Sequence, residues 1–587
     1  MRRGWLLFCL AAMAGTFFFA HYEPYQLDGD AVSYMDLGDL IRGHQWHAIV
    51  NAYWHPLYPA LLALGHALFR STRYNELAAC YVINLFIFLL EMLAIVVFVD
   101  ALSDLRHKLL PTSTSVTSFL LDRDSLRYLA LTLLLIASQR ELSPGKVRPD
   151  ALLQALLLFA LAALLKHLAT GLYRYTALMG LALGLAYLTK SFAFIFTLCC
   201  LLVLVLFRIL WQRTRLLPVV AASLVLLCCF GVVAGPYVAA LSHQKGRLTF
   251  GDSGSLNYAW YVSGTEKVHL EPSMTASFGS ADVQLKHPEQ QLLESPGIYR
   301  YSALANGTYP PWFDPTYWND HIRTRFSLSR QLPRAGRNLV LVARYLLNHP
   351  EGLVLFALLF LLGSSLRLRL ASDAFWLPPV ALGLAVWLIY GIVNIEERYV
   401  TIGFLAILLP LFAALRVKPS SSSSRPSIAM ALILFFALLT TAESFRLAAE
   451  ERRQFLVAHY PAPWYEPDDF AAAHALNALG IGPGDNVACI ISHSHVFVPY
   501  FARLAGVRIL TELYVPKGPL YPFLAALPNR EEALDTLRRT GDKALIGYFD
   551  PGAMTGTTPA SAGWHQLANT HFYVYPLNPP TLPEQVP

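Results

Sequence analysis

The stretch QLDGDAVSYMDLGDLIRG, residues 26–43, sets Asp28, Asp30, Asp36 and Asp39 directly behind an uncharged apolar run from Trp5 to Ala20. One acid at the edge of a bilayer is explained by solvation; a cluster followed by aromatic residues and prolines suggests a reaction site. Gly29 permits a turn and Asp30 to Tyr34 begins a helical spacing, so the plain reading is that Asp28 or Asp30 caps a helix. Capping and catalysis are compatible. The cations that could oppose these acids are spread along the chain. Lys190 closes GLALGLAYLTK, Arg398 lies in NIEERYV with Glu396 and Glu397, Arg148 lies in KVRPD, and His55 in WHPLYP. Each has a bland reading: snorkelling for Lys190, a structural salt bridge for residues 396–398, an interfacial histidine among aromatic anchors for His55. Lys190, however, stands only a few residues from the next apolar run, and an ionisable group drawn into a membrane interior reads as functional. A carboxylate facing cations suits one kind of step. The acid takes a proton from a hydroxyl nucleophile, and the cations meet the charge growing on a departing phosphate.

The composition supplies the setting. Of 587 residues, 55% are hydrophobic and 14% charged, against roughly 25% charged in soluble domains. That balance specifies a polytopic membrane protein. The net charge of +6 fits basic cytoplasmic loops and excludes a nucleic-acid surface. Seven cysteines, nearly all inside apolar runs, form neither a disulfide framework nor a zinc-ligand spacing. Phe18 near Ala20 spoils a signal-peptidase site, so the first apolar run is read as a retained helix.

Windows of about 20 apolar residues give about eleven spans, near 5–20, 77–99, 127–140, 150–166, 175–190, 192–210, 217–240, 352–366, 374–393, 399–415 and 428–446. With the N-terminus inside, every cytoplasmic loop is basic, as the positive-inside rule requires. Three sizeable segments then lie outside. In 21–75, HPLYPALLALGHALF reads as a helix along the interface. Residues 241–350, rich in Trp, Tyr, Pro and Gly, would cap the membrane part. After Glu450, DNVACII, VRILTEL, KALIGYF and HFYVYPL read as strands, and HVFVPYFARLAG and REEALDTLRRTG as helices. The expectation is an all-α membrane domain over 1–450 and an extracytoplasmic α/β domain over 451–587. KPSSSSSRPS, residues 418–427, reads as a flexible cytoplasmic linker.

Taken in order, DGDAVSYMDLGDLIRG, YWHPLYPALLALG, GLALGLAYLTKS and EERYVTIGFLAILLPL resemble integral-membrane glycosyltransferases of the GT-C fold. The similar families are the bacterial aminoarabinose-to-lipid-A transferases, the rhizobial lipopolysaccharide transferases and, more distantly, the protein O-mannosyltransferases. The resemblance covers the membrane portion from the first loop to the span after Arg398. It implies a multi-pass enzyme of the bacterial inner membrane that moves a hexose or pentose, with inversion, from a polyprenyl-phosphate carrier. The acceptor would be an extracytoplasmic hydroxyl on cell-envelope glycan, lipid or protein. The family's first-loop Asp is followed four residues later by Tyr, which Asp30 and Tyr34 match. Asp30 is therefore the expected base and Asp28 the reserve. The family has a basic residue before its proline pair, where this chain has His55-Pro56, and an acid shortly before Arg-Tyr, where it has Glu397-Arg398-Tyr399. Lys190, Arg398, His55 and Arg148 are thus candidates for the donor phosphate, with Tyr34 and Glu397 beside them. No residue is assigned to a metal, and a divalent cation stays open because the family includes metal-assisted and metal-free members.

The competing readings are a transporter or flippase of lipid-linked saccharides, and a polymerase or ligase of the same substrates. The first expects internal repeats, broken helices and charges at mid-membrane; here no repeat is visible and the charges gather at helix ends. The second would depend on Arg and His in a large late loop. GIGPGD, residues 480–485, precedes its strand and so is no dinucleotide loop. His493 and His495 lack a third metal ligand.

Overall fold

The structure, a computed structural model, describes residues 8–17, 27–109, 118–138, 142–265, 286–287, 289–301, 307–322, 324–363, 365–366, 374–417, 424–457, 467–491, 499–514, 529–548 and 563–577. Each expected apolar window holds a helix. They are α1 (Phe8–Phe17), then, after the first acidic segment α2 (Gly29–Arg42) and α3 (Leu57–Phe69), α4 (Glu76–Leu109), α5 (Arg123–Ser138), α6 (Asp150–Thr170), α7 (Tyr173–Thr189), α8 (Phe192–Leu206) and α9 (Leu216–Lys245). After the short α10 (Ser253–Tyr258) come α11 (Leu328–Leu347), α12 (Pro350–Leu362), α13 (Leu377–Gly391), α14 (Glu397–Ala413) and α15 (Arg425–Val457). Six of these are long and apolar enough to cross a membrane, counting the turns that extend α8 and α13; α12 joins them only with α11, from which it bends by 79°. The helices α5, α7 and α14 have 16, 17 and 17 residues. The expected interfacial segment is α3, whose 13 residues reach only about 20 Å. The linker at 418–427 lies mostly outside the described residues.

In the bundle α4 packs along α6, α6 against α7, and α7 against α9. The GLALG run explains the last contact. A Cβ on Gly180 would stand 2.3 Å from the Leu226 carbonyl oxygen, and one on Gly184 2.7 Å from the Val233 side chain. Small residues one turn apart let two membrane helices close to backbone contact. That seating carries Lys190, the residue capping α7, to the start of α6.

Outside the bundle, seven strands form a sheet in the order β2-β3-β7-β6-β8-β10-β9. The central β6 (Asn486–Ile491) runs parallel to β7 (Arg508–Tyr514) and β8 (Ala544–Tyr548); β10 (Phe572–Pro576) and β9 (His565–Gln566) extend one edge antiparallel. The four strands expected from the tail are all present. The other edge is β2 (Gln290–Leu293) and β3 (Gly297–Arg300), so the sheet recruits two strands from the 241–350 segment. Helices α16 (Pro467–Ala478), α17 (Tyr500–Ala505) and α18 (Arg530–Arg539) accompany it. Sequence reading expected a longer α17; residues 492–498, with His493 and His495, lie outside the described residues. A second, three-stranded sheet joins β1 (Ser118–Phe119), β5 (Leu415–Val417) and β4 (Ser365–Leu366), with the guanidinium groups of Arg106 and Arg416 4.3 and 4.7 Å from the centre of the Phe119 ring.

One buried cation ties the sheet region to the bundle. Arg503 of α17 is 1% exposed and pairs with Asp36 at 2.6 Å and Asp39 at 3.0 Å on α2, and with Glu76 at 2.7 Å at the start of α4. Asp36 also accepts hydrogen bonds from the Thr308 amide and hydroxyl. Removing one member of such a network strands buried charge, at a cost of about 3–5 kcal/mol. Arg503→Met is expected to lower the thermal unfolding midpoint of the purified protein markedly, whereas R530Q, at a half-exposed pair, leaves it nearly unchanged.

Candidate functional site

The start of α2 separates the two first-loop acids by role. Asp28 is the N-cap: its Oδ1 accepts the Ala31 amide at 2.9 Å, and its Oδ2 pairs with Arg148 at 2.7 Å. Both oxygens are thereby occupied, and neither Asp28 nor Arg148 lines the large cavity next to them. Asp30 sits two residues on. Its Oδ2 meets Arg398 Nη2 at 3.4 Å and its Oδ1 accepts the Trp312 indole N–H at 3.2 Å. Tyr34 follows one helical turn later, on the same side, buried edge-on between Trp54 and Tyr58.

Opposite Asp30 lie the ends of three helices. Lys190 Nζ reaches Asp150 Oδ1 at 2.6 Å at the start of α6, and stands 4.7 Å over the Tyr399 ring. Arg398, 8% exposed, donates through Nε to Glu396 at 2.7 Å, reaches the Tyr399 hydroxyl at 3.1 Å, and lies 3.8 Å from Asp150. Two cations and the carboxylates of Asp30 and Glu396 thus share a cavity of about 710 Å³, lined by Asp30, Tyr34, Lys190, Glu396, Arg398 and Tyr399; Asp150, the partner of Lys190, does not line it. Aromatic residues Tyr53, Trp54, Tyr261 and Trp312 form another wall. Burial and the neighbouring Asp28 raise the Asp30 carboxyl above the usual carboxylate range, while Arg398 and Arg148 pull it back.

The short helical turn Pro310–Phe313 packs against α2 at this site. Its Trp312 carbonyl accepts from the Trp54 indole at 3.0 Å and from Ser33 at 3.1 Å, and Asn51 donates to the Phe313 carbonyl at 2.7 Å. Arg247 and Asp252 also line the cavity and pair with each other at 2.6 Å.

Two expected neighbours stand elsewhere. Glu397 accepts from His349 at 2.7 Å and lines a separate apolar cavity. Successive helical residues diverge by about 100°, so when Arg398 faces the large cavity Glu397 turns away, and the acid beside Arg398 is Glu396 in the extended cap position. His55 is 1% exposed and does not line the cavity. Its ring lies edge-on to Tyr187 at 4.9 Å, and Gly251 (φ +127°) passes so close that a Cβ there would stand 3.2 Å from Nε2. Burial pushes its pKa down to about 3, offset only in part by the Tyr187 backbone, so the ring is neutral and has no charge to offer a phosphate.

Sequence reading missed Trp312, Tyr399, Tyr53 and Arg247 in the cavity lining, and Asp150 as the partner of Lys190. Asp150 carried a signal, since it follows Pro149 at a helix start in the KVRPD motif; Trp312 carried only its place in an aromatic-rich loop. Among the described residues no group of three or more His, Cys, Asp or Glu converges as a metal site. Because His55 is held neutral, H55N is expected to leave any pH–rate profile unchanged between pH 5 and 8, measured on the purified protein.

The sequence matches no family model and no curated protein. The crystal structure of ArnT from Cupriavidus metallidurans bound to undecaprenyl phosphate aligns with TM-score 0.54 and 12% identity over 98% of this chain and 98% of that one. The apo state of the same protein aligns with TM-score 0.51 and 12% identity over 98% and 97%. An Archaeoglobus fulgidus oligosaccharyltransferase tethered with an acceptor peptide aligns over 92% of this chain and 69% of its own at 11% identity, with a TM-score of 0.44. This multi-pass membrane protein therefore has the GT-C fold, on the plan of ArnT from one end of the chain to the other.

Proposed function

We propose that the protein is an inverting glycosyltransferase that moves a sugar from a polyprenyl-phosphate carrier to an acceptor hydroxyl. The observation that carries this reading is the meeting of Asp30 with Arg398 at the end of the cavity that Lys190 also lines. The acceptor oxygen attacks the anomeric carbon, the bond from that carbon to the phosphate oxygen breaks, and the acceptor proton passes to Asp30. Charge left on the polyprenyl phosphate faces Lys190 and Arg398, and guanidinium groups suit phosphate oxygens. Asp150 and Glu396 position these two cations, while Asp28 stays with Arg148 and serves the helix end. The faces of Tyr53, Tyr261 and Trp312 suit the apolar faces of a sugar ring. Phe192 and Ile195 of α8, Ile389 of α13 and Val393 just beyond it also line the cavity, an apolar route for a prenyl chain entering from the bilayer. The bound undecaprenyl phosphate of ArnT supports a carrier of that class.

The positive-inside bias supports a cytoplasmic N-terminus, with the cavity, the 241–350 segment and the 451–587 domain outside the inner membrane, where they would shape the approach of a glycan, lipid or protein acceptor. Envelope glycans compared by mass spectrometry with and without the protein are expected to differ by one sugar. General-base catalysis contributes roughly 10²–10⁴-fold, so D30N at unchanged expression is expected to lower transfer from a radiolabelled polyprenyl-phosphate sugar by that order. Normal transfer by D30N refutes the assignment. Asp30 works only when ionised, so activity falls as pH drops through its raised pKa. Arg398 lowers that pKa, and R398Q is expected to move the acid limb of the normalised pH–rate profile upward.

A further inference from the structure

We propose that the elbow between α11 and α12 binds an anionic phospholipid, at a place separate from the reaction cavity. The helix α11 reads LSRQLPRAGRNLVLVARYLL, with four arginines and no acid. At 100° per residue, Leu328, Leu332, Leu339, Ala343 and Leu347 fall along one face, and the four leucines are 60%, 61%, 71% and 67% exposed. A second face is fixed to the protein: Gln331 donates to the Ile392 carbonyl at 2.7 Å, Asn338 to Gly391 at 2.8 Å, and the Tyr345 hydroxyl to Ile395 at 3.4 Å. Arg337 and Arg344 lie two turns apart on the third face, exposed and without an ion-pair partner among the described residues.

The bend of 79° into the apolar α12 decides what covers the leucine face. With α12 running into the bilayer, α11 lies near the membrane plane, its leucines toward hydrocarbon and its arginines at the headgroups. The partner is the lipid itself, because the face continues the membrane contact of α12 and its free charges are all positive. Beneath the elbow lies a cavity of about 150 Å³, lined by Leu133, Ile136, Phe356, Phe404 and Phe412. Its polar lining groups are already engaged with one another, as His349 with Glu397 and Thr401 with the Glu397 carbonyl. A dry apolar cavity of this size accepts hydrocarbon. It shares no lining residue with the reaction cavity, and no Lys or Arg lines it, so it suits an acyl chain and not the phosphate end of a sugar donor.

The test reads lipid binding rather than sugar transfer, so it fails or succeeds independently of the proposed activity. Delipidated full-length protein in detergent is titrated with phosphatidylglycerol or phosphatidylcholine and followed by native mass spectrometry. A basic residue near an anionic lipid surface is worth roughly fivefold in binding. Wild-type protein is expected to prefer phosphatidylglycerol at least fivefold, R337Q/R344Q to lose the preference, and R337K/R344K to keep it. A137F, filling the cavity from α5, is expected to weaken both lipids. The proposal is overturned if R337Q/R344Q retains the wild-type preference. It is equally overturned if A137F weakens undecaprenyl phosphate while phosphatidylglycerol binds as before.

Discussion

Charge in a low-dielectric setting must be answered by charge, and this requirement organises the molecule. At the cavity end no cation stands alone: Lys190 has Asp150, and Arg398 has Glu396, Asp30 and Tyr399. The groups come from four helix ends, those of α2, α6, α7 and α14, so the bundle is held in an arrangement in which those ends converge. Buried ion pairs are costly to desolvate and contribute little net stability. What they contribute here is position, since any slip of α6, α7 or α14 would leave an unpaired ion in an apolar surround.

The same rule acts a second time behind the site. Asp36, Asp39 and Glu76 gather around Arg503, so α2 is gripped on one side by α17 and on the other by the Trp312 loop. The helix that presents Asp30 is thereby fixed by two segments that arrive from more than 250 residues later in the chain. The carboxylate is aimed by an indole N–H and a guanidinium rather than by its own helix, whose cap is served by Asp28. One acid builds the helix start and the other is left to face the cavity.

The two cavities show how one helix divides its labour. Residues 396–398 are consecutive, yet Glu396 and Arg398 face the large polar space while Glu397 and His349 border the small apolar one. The pitch of α14 separates Glu397 from Arg398, and the extended cap conformation of Glu396 leaves it beside Arg398. Together they keep a region suited to charge transfer apart from a region suited to hydrocarbon, although both lie against α14.

The sequence by itself determined what depends on local composition and period. The apolar windows became helices, the tail strands appeared where they were read, and Asp30, Lys190 and Arg398 could be singled out because charged groups at apolar helix ends are conspicuous, whereas Tyr34 was marked only by the family spacing it shares with Asp30. The separation of Asp28 from Asp30 was half legible, as capping was foreseen for either. Only the tertiary structure decided the rest. That His55 is walled off by Gly251 and neutral, that Glu396 replaces Glu397 beside Arg398, and that Trp312 reaches Asp30 all depend on how distant segments pack. So does the recruitment of residues 290–300 into the tail's sheet. Hydrophobic period is a property of neighbours along the chain, whereas the direction of a side chain and the partner of a buried charge are set by elements that meet only after folding.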